Sequence, residues 1–243
     1  EALTAGNLIH QLRLEVASLL GVSPERICLP VSATFGLNQA IHGVVTSGTH
    51  VIATAADHNA TLRPLHYLKE KGRIHLTVVS CDGRGWVDPD DIVRAWQPNT
   101  SLVTLSHSSN VTGVTQDVES IVKVAREREA LSLLDASQSL GQVAFSQYES
   151  MADIVVSPGH KWLMGMHGIA VLYARQGIHF DSLIQGGTGS TSESLEMPVE
   201  MQDQVEVGTL DFPAAAALLA GCRWLKDERL ESVAAACKGY AQA

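Results

Sequence analysis

Apolar positions fall in two rhythms along this chain. Leu8, Leu12, Val16, Leu19 and Leu20 recur at helical spacing, and Gly21 then closes the helix they predict. Beyond it, short continuous apolar runs alternate with amphipathic ones. The runs predict strands at Ile27-Leu29, Val51-Thr54, Ile74-Val79, Leu102-Leu105, Leu131-Leu134, Ile154-Val156 and Ile169-Tyr173. Between them, helical periodicity covers Leu37-Val45, Leu62-Lys71, Pro89-Trp96 and Val118-Glu129. Strands alternating with helices predict an α/β fold, a mostly parallel seven-stranded sheet flanked by helices. The continuous apolar strand runs fit a sheet covered on both faces. From about Gly186 to Pro213 the pattern turns polar and irregular, which predicts a long functional or interface loop.

Composition narrows the function classes. The chain has 243 residues, 45% hydrophobic and 18% charged, enough for one large domain or one domain with a small appendage. Its net charge of −9 and lack of a basic run disfavour nucleic acid and anionic membrane as partners. No apolar run is long enough to span a bilayer, and no leader pattern is visible. Cys28, Cys81, Cys222 and Cys237 are far apart and form no zinc-type spacing, so they are expected to be free thiols in a reducing cytoplasm, with no metal site. The chain opens and closes inside helical patterns, at Glu1 and at Cys237 to Ala243, which predicts a piece of a longer protein.

The candidate chemistry lies just past the strands, because open parallel sheets bind ligands beyond their carboxyl ends. Ser32-Ala33-Thr34 follows the first strand and opens a helix whose N–H groups can cradle an anion. Asp57-His58, Asn110, then Asp135 with Gln138, then His160-Lys161 follow four others. A lysine and an aspartate after neighbouring buried strands suit pyridoxal phosphate, the lysine as a Schiff base and the aspartate on the pyridine nitrogen. In that reading His58 stacks on the ring and relays protons, while Asn110 and Gln138 hydrogen-bond the ring hydroxyl. Thr34 and His160 hold the phosphate, and Lys161 also moves the α-proton.

Each group has a plainer explanation. Lys161 could be a solvated charge, and His58 a loop or capping residue. Asp135 and Ser32-Ala33-Thr34 could be helix caps, and Asn110 a turn former. Trp86, Trp96 and Trp162 are expected in the core or an interface. Five groups placed after five different strands favour the joint reading. No P-loop, dinucleotide fingerprint or nucleophile elbow competes with it.

These segments resemble the class V aminotransferase family of pyridoxal-phosphate enzymes, in its cysteine desulfurase and selenocysteine lyase branch. The resemblance runs from about Leu3 to Gly221. It rests on SATFGLNQ at 32–39, DHNATLRPL at 57–65, SSNVTG at 108–113, LLDASQSLG at 133–141, GHK at 159–161 and VEVGT at 205–209. It implies a type I large domain over residues 1–221, with 222–243 starting a helix toward a small C-terminal domain outside the chain. It also implies a homodimer with a shared active site, a cysteine-like amino-acid substrate and a sulfur-acceptor protein. Residue by residue, Lys161, His58 and Asp135 take the catalytic roles. Ala33, Thr34 and His160 take the phosphate, Asn110 and Gln138 the ring hydroxyl, and Thr209 the phosphate of the neighbouring subunit.

The implied reaction is desulfuration of cysteine to alanine. Transamination, selenocysteine cleavage and a truncated non-catalytic remnant are the alternatives. The sequence departs from the family pattern at Pro158, where a phosphate-binding hydroxyl is usual although Ser157 is adjacent. It departs also at Gln204, where a basic residue is common, and at Gly165-Met166-His167-Gly168. None of the four cysteines lies in a segment matching the catalytic-cysteine loop.

Overall fold

In a computed structural model, residues 2–143, 152–190, 193–227 and 230–241 are described. Helix α1 (Ala2–Leu20) leads into strand β1 (Ile27–Cys28) and helix α2 (Ala33–Val44). Then come β2 (Thr49–Thr54), α3 (Asn59–Glu70), β3 (Ile74–Val79), α4 (Pro89–Arg94), β4 (Thr100–Ser106), α5 (Val118–Glu127) and β5 (Leu131–Asp135). Strands β6 (Ile154–Pro158) and β7 (Ala170–Ala174) precede α6 (Met201–Val205), α7 (Phe212–Asp227) and α8 (Leu230–Ala241). The predicted strands and helices are all present; β2, β4, β5, β6, α1, α2 and α3 run one to several residues longer than predicted, whereas β1, α4 and α5 are one or two residues shorter. Helix α1 ends as its sequence predicts: Gly21 adopts φ 67°, and Val22 N–H reaches back to Ala17 O at 3.0 Å. The polar 186–213 stretch carries α6 and the start of α7.

The strands form one seven-stranded sheet in the order β1-β7-β6-β5-β4-β2-β3. Strands β2 to β6 pair in parallel, whereas β7 runs antiparallel to both β6 and β1. Consecutive residues of the central strands feed opposite cores. Ile52, Val103, Leu134 and Val155 pack with α1, α4, α5 and α7. Val51, Leu102, Leu133 and Ile154 pack with α2 and α3 on the other face. The strand centres therefore need apolar residues at consecutive positions, and each buried aliphatic side chain contributes about 1.5–3 kcal/mol.

The order of connections fixes where a ligand can sit. From β2 the chain crosses through α3 on one face to the edge strand β3. It returns through α4 on the other face to β4, on the far side of β2. This reversal opens a crevice between the carboxyl ends of β2 and β4.

Candidate active site

A pocket of about 230 Å³ lies over those strand ends, lined by Ala33, Thr34, His58, Asn110, Asp135, Gln138, His160 and Lys161 among others. Eight of the nine residues proposed from sequence thus meet in one place. The ninth, Thr209, lies elsewhere, in a hollow of about 1010 Å³ bordered by α1 and residues 187–189.

Each element brings its residue by a local rule. Ser32 is extended (φ −163°, ψ 160°) and caps α2, its hydroxyl accepting from Phe35 N–H at 3.1 Å. The first-turn amides of Ala33 and Thr34 have no intrahelical acceptor, so α2 offers an anion-binding end to the pocket it lines. His58 caps α3 in the same way, with Nδ1 accepting from Ala60 N–H at 3.1 Å. That bond uses the Nδ1 lone pair and leaves the ring proton on Nε2. Capping does not take His58 out of the pocket: one imidazole both caps α3 and lines the pocket.

Asp135 ends β5 and is buried, its carboxylate accepting from Ser137 N–H at 3.0 Å. The strand end is pinned on both sides: His107 N–H donates to Asp135 O at 2.9 Å, and Ala136 N–H to Val156 O at 2.8 Å. Lys161 follows β6 in a tight turn closed by Met164 N–H to Lys161 O at 3.1 Å and Gly165 N–H to Gly159 O at 2.8 Å. His160 stacks on His167, ring centroids 4.2 Å apart and 19° from parallel. Partial burial, the neighbouring His167 and the Lys161 charge all push its pKa below the ordinary histidine value.

Pro158 lines the pocket, but Ser157 does not. Successive strand residues face opposite sides, and the buried Ser157 hydroxyl donates to Ala136 O at 3.3 Å. Ser157 therefore does not replace the hydroxyl that Pro158 lacks.

Two residues noted in the sequence received no site role there. Asp57 is buried beside Ser106, which lines the pocket. Its oxygens accept from Ser106 N–H at 2.6 Å, Thr54 N–H at 3.0 Å and the Thr104 hydroxyl at 3.0 Å, bolting the end of β2 to that of β4. Burial pushes its pKa up to about 6 against these stabilising bonds. Its signal was faint: an aspartate after a strand, with partners some fifty residues away. Trp162, expected in the core or an interface, is half-buried and its indole N–H donates to Gln138 Oε1 at 3.0 Å. Ser106, Ser108 and Ser137 also line the pocket.

The arrangement combines an anion cradle, a buried carboxylate, an amine and an imidazole with a defined proton. Such a set can bind an anionic ligand, hold a protonated ring nitrogen and move protons. Among the described residues no cluster of three or more His, Cys, Asp or Glu side chains could hold a metal ion. No helix among them is long and apolar enough to cross a membrane.

Comparison with known proteins agrees with this geometry. The family model for aminotransferase class-V matches residues 2–243. The cysteine desulfurase IscS of Dictyoglomus turgidum is 31% identical over 184 residues, 74% of this chain and 46% of the relative. The apo structure of a cysteine desulfurase from Thermococcus onnurineus superposes with a TM-score of 0.85 at 28% identity, covering 94% of this chain and 58% of that one. A structure of SspA in complex with cysteine gives a TM-score of 0.80 at 26% identity, over 91% of this chain and 62% of the other. The chain spans about half the length of the curated relatives it matches. With its mostly parallel sheet and the strand-end pocket, the match over residues 2–243 shows that the chain belongs to the aminotransferase class-V family.

Proposed function

We propose that the chain is the cofactor-binding part of a pyridoxal-phosphate-dependent cysteine desulfurase, acting on cysteine as a homodimer and passing sulfur to an acceptor protein. The observation that carries this reading is the meeting of Asp135, at the end of β5, and Lys161, just past the adjacent β6, with His58 in one pocket. The donor set fits the cofactor: a carboxylate for a protonated ring nitrogen, an amine for an aldehyde, and a helix N-terminus for a phosphate. When bound, pyridoxal phosphate supplies an electron sink for the charge left as an amino acid's α-proton departs.

The protein's own residues do the rest. Asp135 keeps the ring nitrogen protonated. Lys161 Nζ holds the cofactor and moves the α-proton. His58, with its proton on Nε2, covers the ring and relays protons. Asn110 and Gln138 take the ring hydroxyl, and Ala33, Thr34 and His160 the phosphate. Thr209 serves the pocket of the neighbouring subunit. The exposed apolar side chains of Leu183, Ile184, Leu195, Val199 and Phe212, in the segment that leads to and follows Thr209, support a subunit face there.

Net, the Cβ–S bond of cysteine is exchanged for a Cβ–H bond, and the sulfur passes to a thiol as a persulfide. None of the four cysteines lines the pocket, and burial pushes the thiols of Cys28 and Cys222 upward, the latter to about 12. The attacking thiol is therefore assigned to a segment outside this chain. The cysteine complex of SspA supports the choice of substrate.

Borohydride reduction after adding pyridoxal phosphate, followed by peptide mapping, should find the cofactor on Lys161. The longer gene product should release sulfide from cysteine when a reductant is present. An adduct elsewhere, or none, rejects the cofactor assignment. A 2-oxo acid formed without sulfide would reassign the reaction to transamination.

A further inference from the structure

The hydrogen bond between Trp162 and Gln138 does more than pack two side chains. An indole nitrogen carries one hydrogen and offers no lone pair, so it can only donate. The branch of the Gln138 carboxamide that meets it at 3.0 Å must therefore be the oxygen. The two branches of an amide are nearly alike in shape, and an unrestrained glutamine exchanges them by turning about its last bond. At Gln138 that turn would set an NH2 group against an N–H group, two donors face to face. The amide nitrogen is thus the branch left for the pocket that Gln138 lines.

Both partners sit on backbone that is locked together. Gly141, three residues after Gln138, has φ 97°, and a Cβ there would lie 2.2 Å from Trp162 O. The turn carrying Gln138 is closed by Ser139 N–H to Ala136 O at 3.1 Å and Gln142 N–H to Ser139 O at 2.9 Å. The bond therefore joins the turn after Asp135 to the turn that carries Lys161, at a fixed separation.

We propose that Trp162 is a positioning residue that makes Gln138 present a hydrogen-bond donor, not an acceptor, to a negatively charged oxygen in the pocket. Resting on the cofactor reading above, that oxygen is the ionised ring hydroxyl of pyridoxal phosphate. Trp162 does not line the pocket and acts only through Gln138.

Trp162→Phe keeps the aromatic bulk and removes the donor. In the cofactor-loaded chain, the pH midpoint between the visible absorption bands reports the proton that the lysine-bound nitrogen shares with the ionised ring oxygen, and a donor to that oxygen lowers it. Losing the fixed donor should raise that midpoint by about half to one pH unit and weaken cofactor binding about 3- to 10-fold, the worth of one hydrogen bond. His58, Asp135, His160 and Lys161 also face the ligand, but they are common to wild type and variant and cancel in the difference. Gln138→Leu should give a similar shift, and adding Trp162→Phe to it should change nothing further.

An unchanged midpoint in Trp162→Phe would overturn the proposal, as would a shift that persists in the Gln138→Leu background. A cofactor-free check is the indole N–H resonance of Trp162, which Gln138→Leu should move and expose to faster hydrogen exchange. No change there would show that the bond does not exist. A wild-type chain that forms no adduct on Lys161 rejects the cofactor reading itself, a result separate from either outcome.

Discussion

Asp57 takes three donors on two oxygens, and two of them are backbone N–H groups that cannot reverse their role. Asp57→Asn must turn an NH2 group toward Thr54 N–H or Ser106 N–H, leaving a buried donor unpaired at a cost of about 1–3 kcal/mol. Its pH signature has a definite sign. The carboxyl group has a folded pKa of about 6, raised from 3.8, so between those values the folded state binds more protons than the unfolded one. The contribution of Asp57 is fully present below 3.8 and is lost as pH rises toward 6. The stability gap between wild type and Asp57→Asn should therefore widen as pH falls through that window. Urea midpoints of the two proteins, compared at each pH, check this because other carboxylates cancel. Asp135→Ala acts differently: it removes a charged partner of the ligand, so cofactor affinity should fall about 10- to 100-fold with little change in the unliganded fold. Equilibrium dialysis beside thermal melts would separate the two effects.

Among the elements, α7 controls how firmly Lys161 is held. Gly221 brings the helix backbone against the segment after Lys161; a Cβ there would lie 2.1 Å from Leu163 O and 2.9 Å from Met164 C. Backbone cannot yield as a side chain tip does, so Gly221→Ala should cost more than the ~1–3 kcal/mol of ordinary overpacking and weaken cofactor binding as well. Gly239→Ala in α8, with nothing within 4 Å, should instead raise stability by up to about 1 kcal/mol through helix propensity alone. Thermal melts of the two variants should move in opposite directions. The elements themselves were legible because the centres of β2, β4, β5 and β6 carry apolar residues at consecutive positions (Val51-Ile52-Ala53, Leu102-Val103, Leu133-Leu134, Ile154-Val155-Val156), as a doubly covered strand requires. The antiparallel course of β7 was not legible, since the strand pattern carries no direction. Eight pocket residues were legible because each directly follows or closely trails a strand, or opens the helix beyond it. The roles of Asp57 and Trp162 were not, because their partners Thr104, Ser106 and Gln138 become neighbours only once the sheet is assembled.

At the scale of the whole molecule, the placement of Thr209 invites a test of the proposed homodimer. Thr209 borders a hollow beside α1 and does not line the pocket that holds Lys161. Its loop is anchored there by Glu206, which accepts from Leu29 N–H at 2.7 Å and pairs with Arg13 at 2.6 Å. With Thr209 held away from the pocket of its own chain, a role on the phosphate is assigned to the pocket of a second copy. Thr209→Ala homodimers should keep Lys161 but bind pyridoxal phosphate more weakly, while Lys161→Ala homodimers should form no reducible adduct. In a mixed dimer the Thr209→Ala subunit supplies an intact lysine and the Lys161→Ala subunit supplies an intact Thr209 to that same pocket. One pocket per mixed dimer should regain wild-type affinity, and the other should lack both groups. Random exchange makes mixed dimers about half of the population, so tight adduct should rise with the fraction of mixed dimer that subunit exchange produces. If Thr209 instead served its own pocket, every lysine-bearing pocket in the mixture would lack the threonine, and exchange would restore nothing.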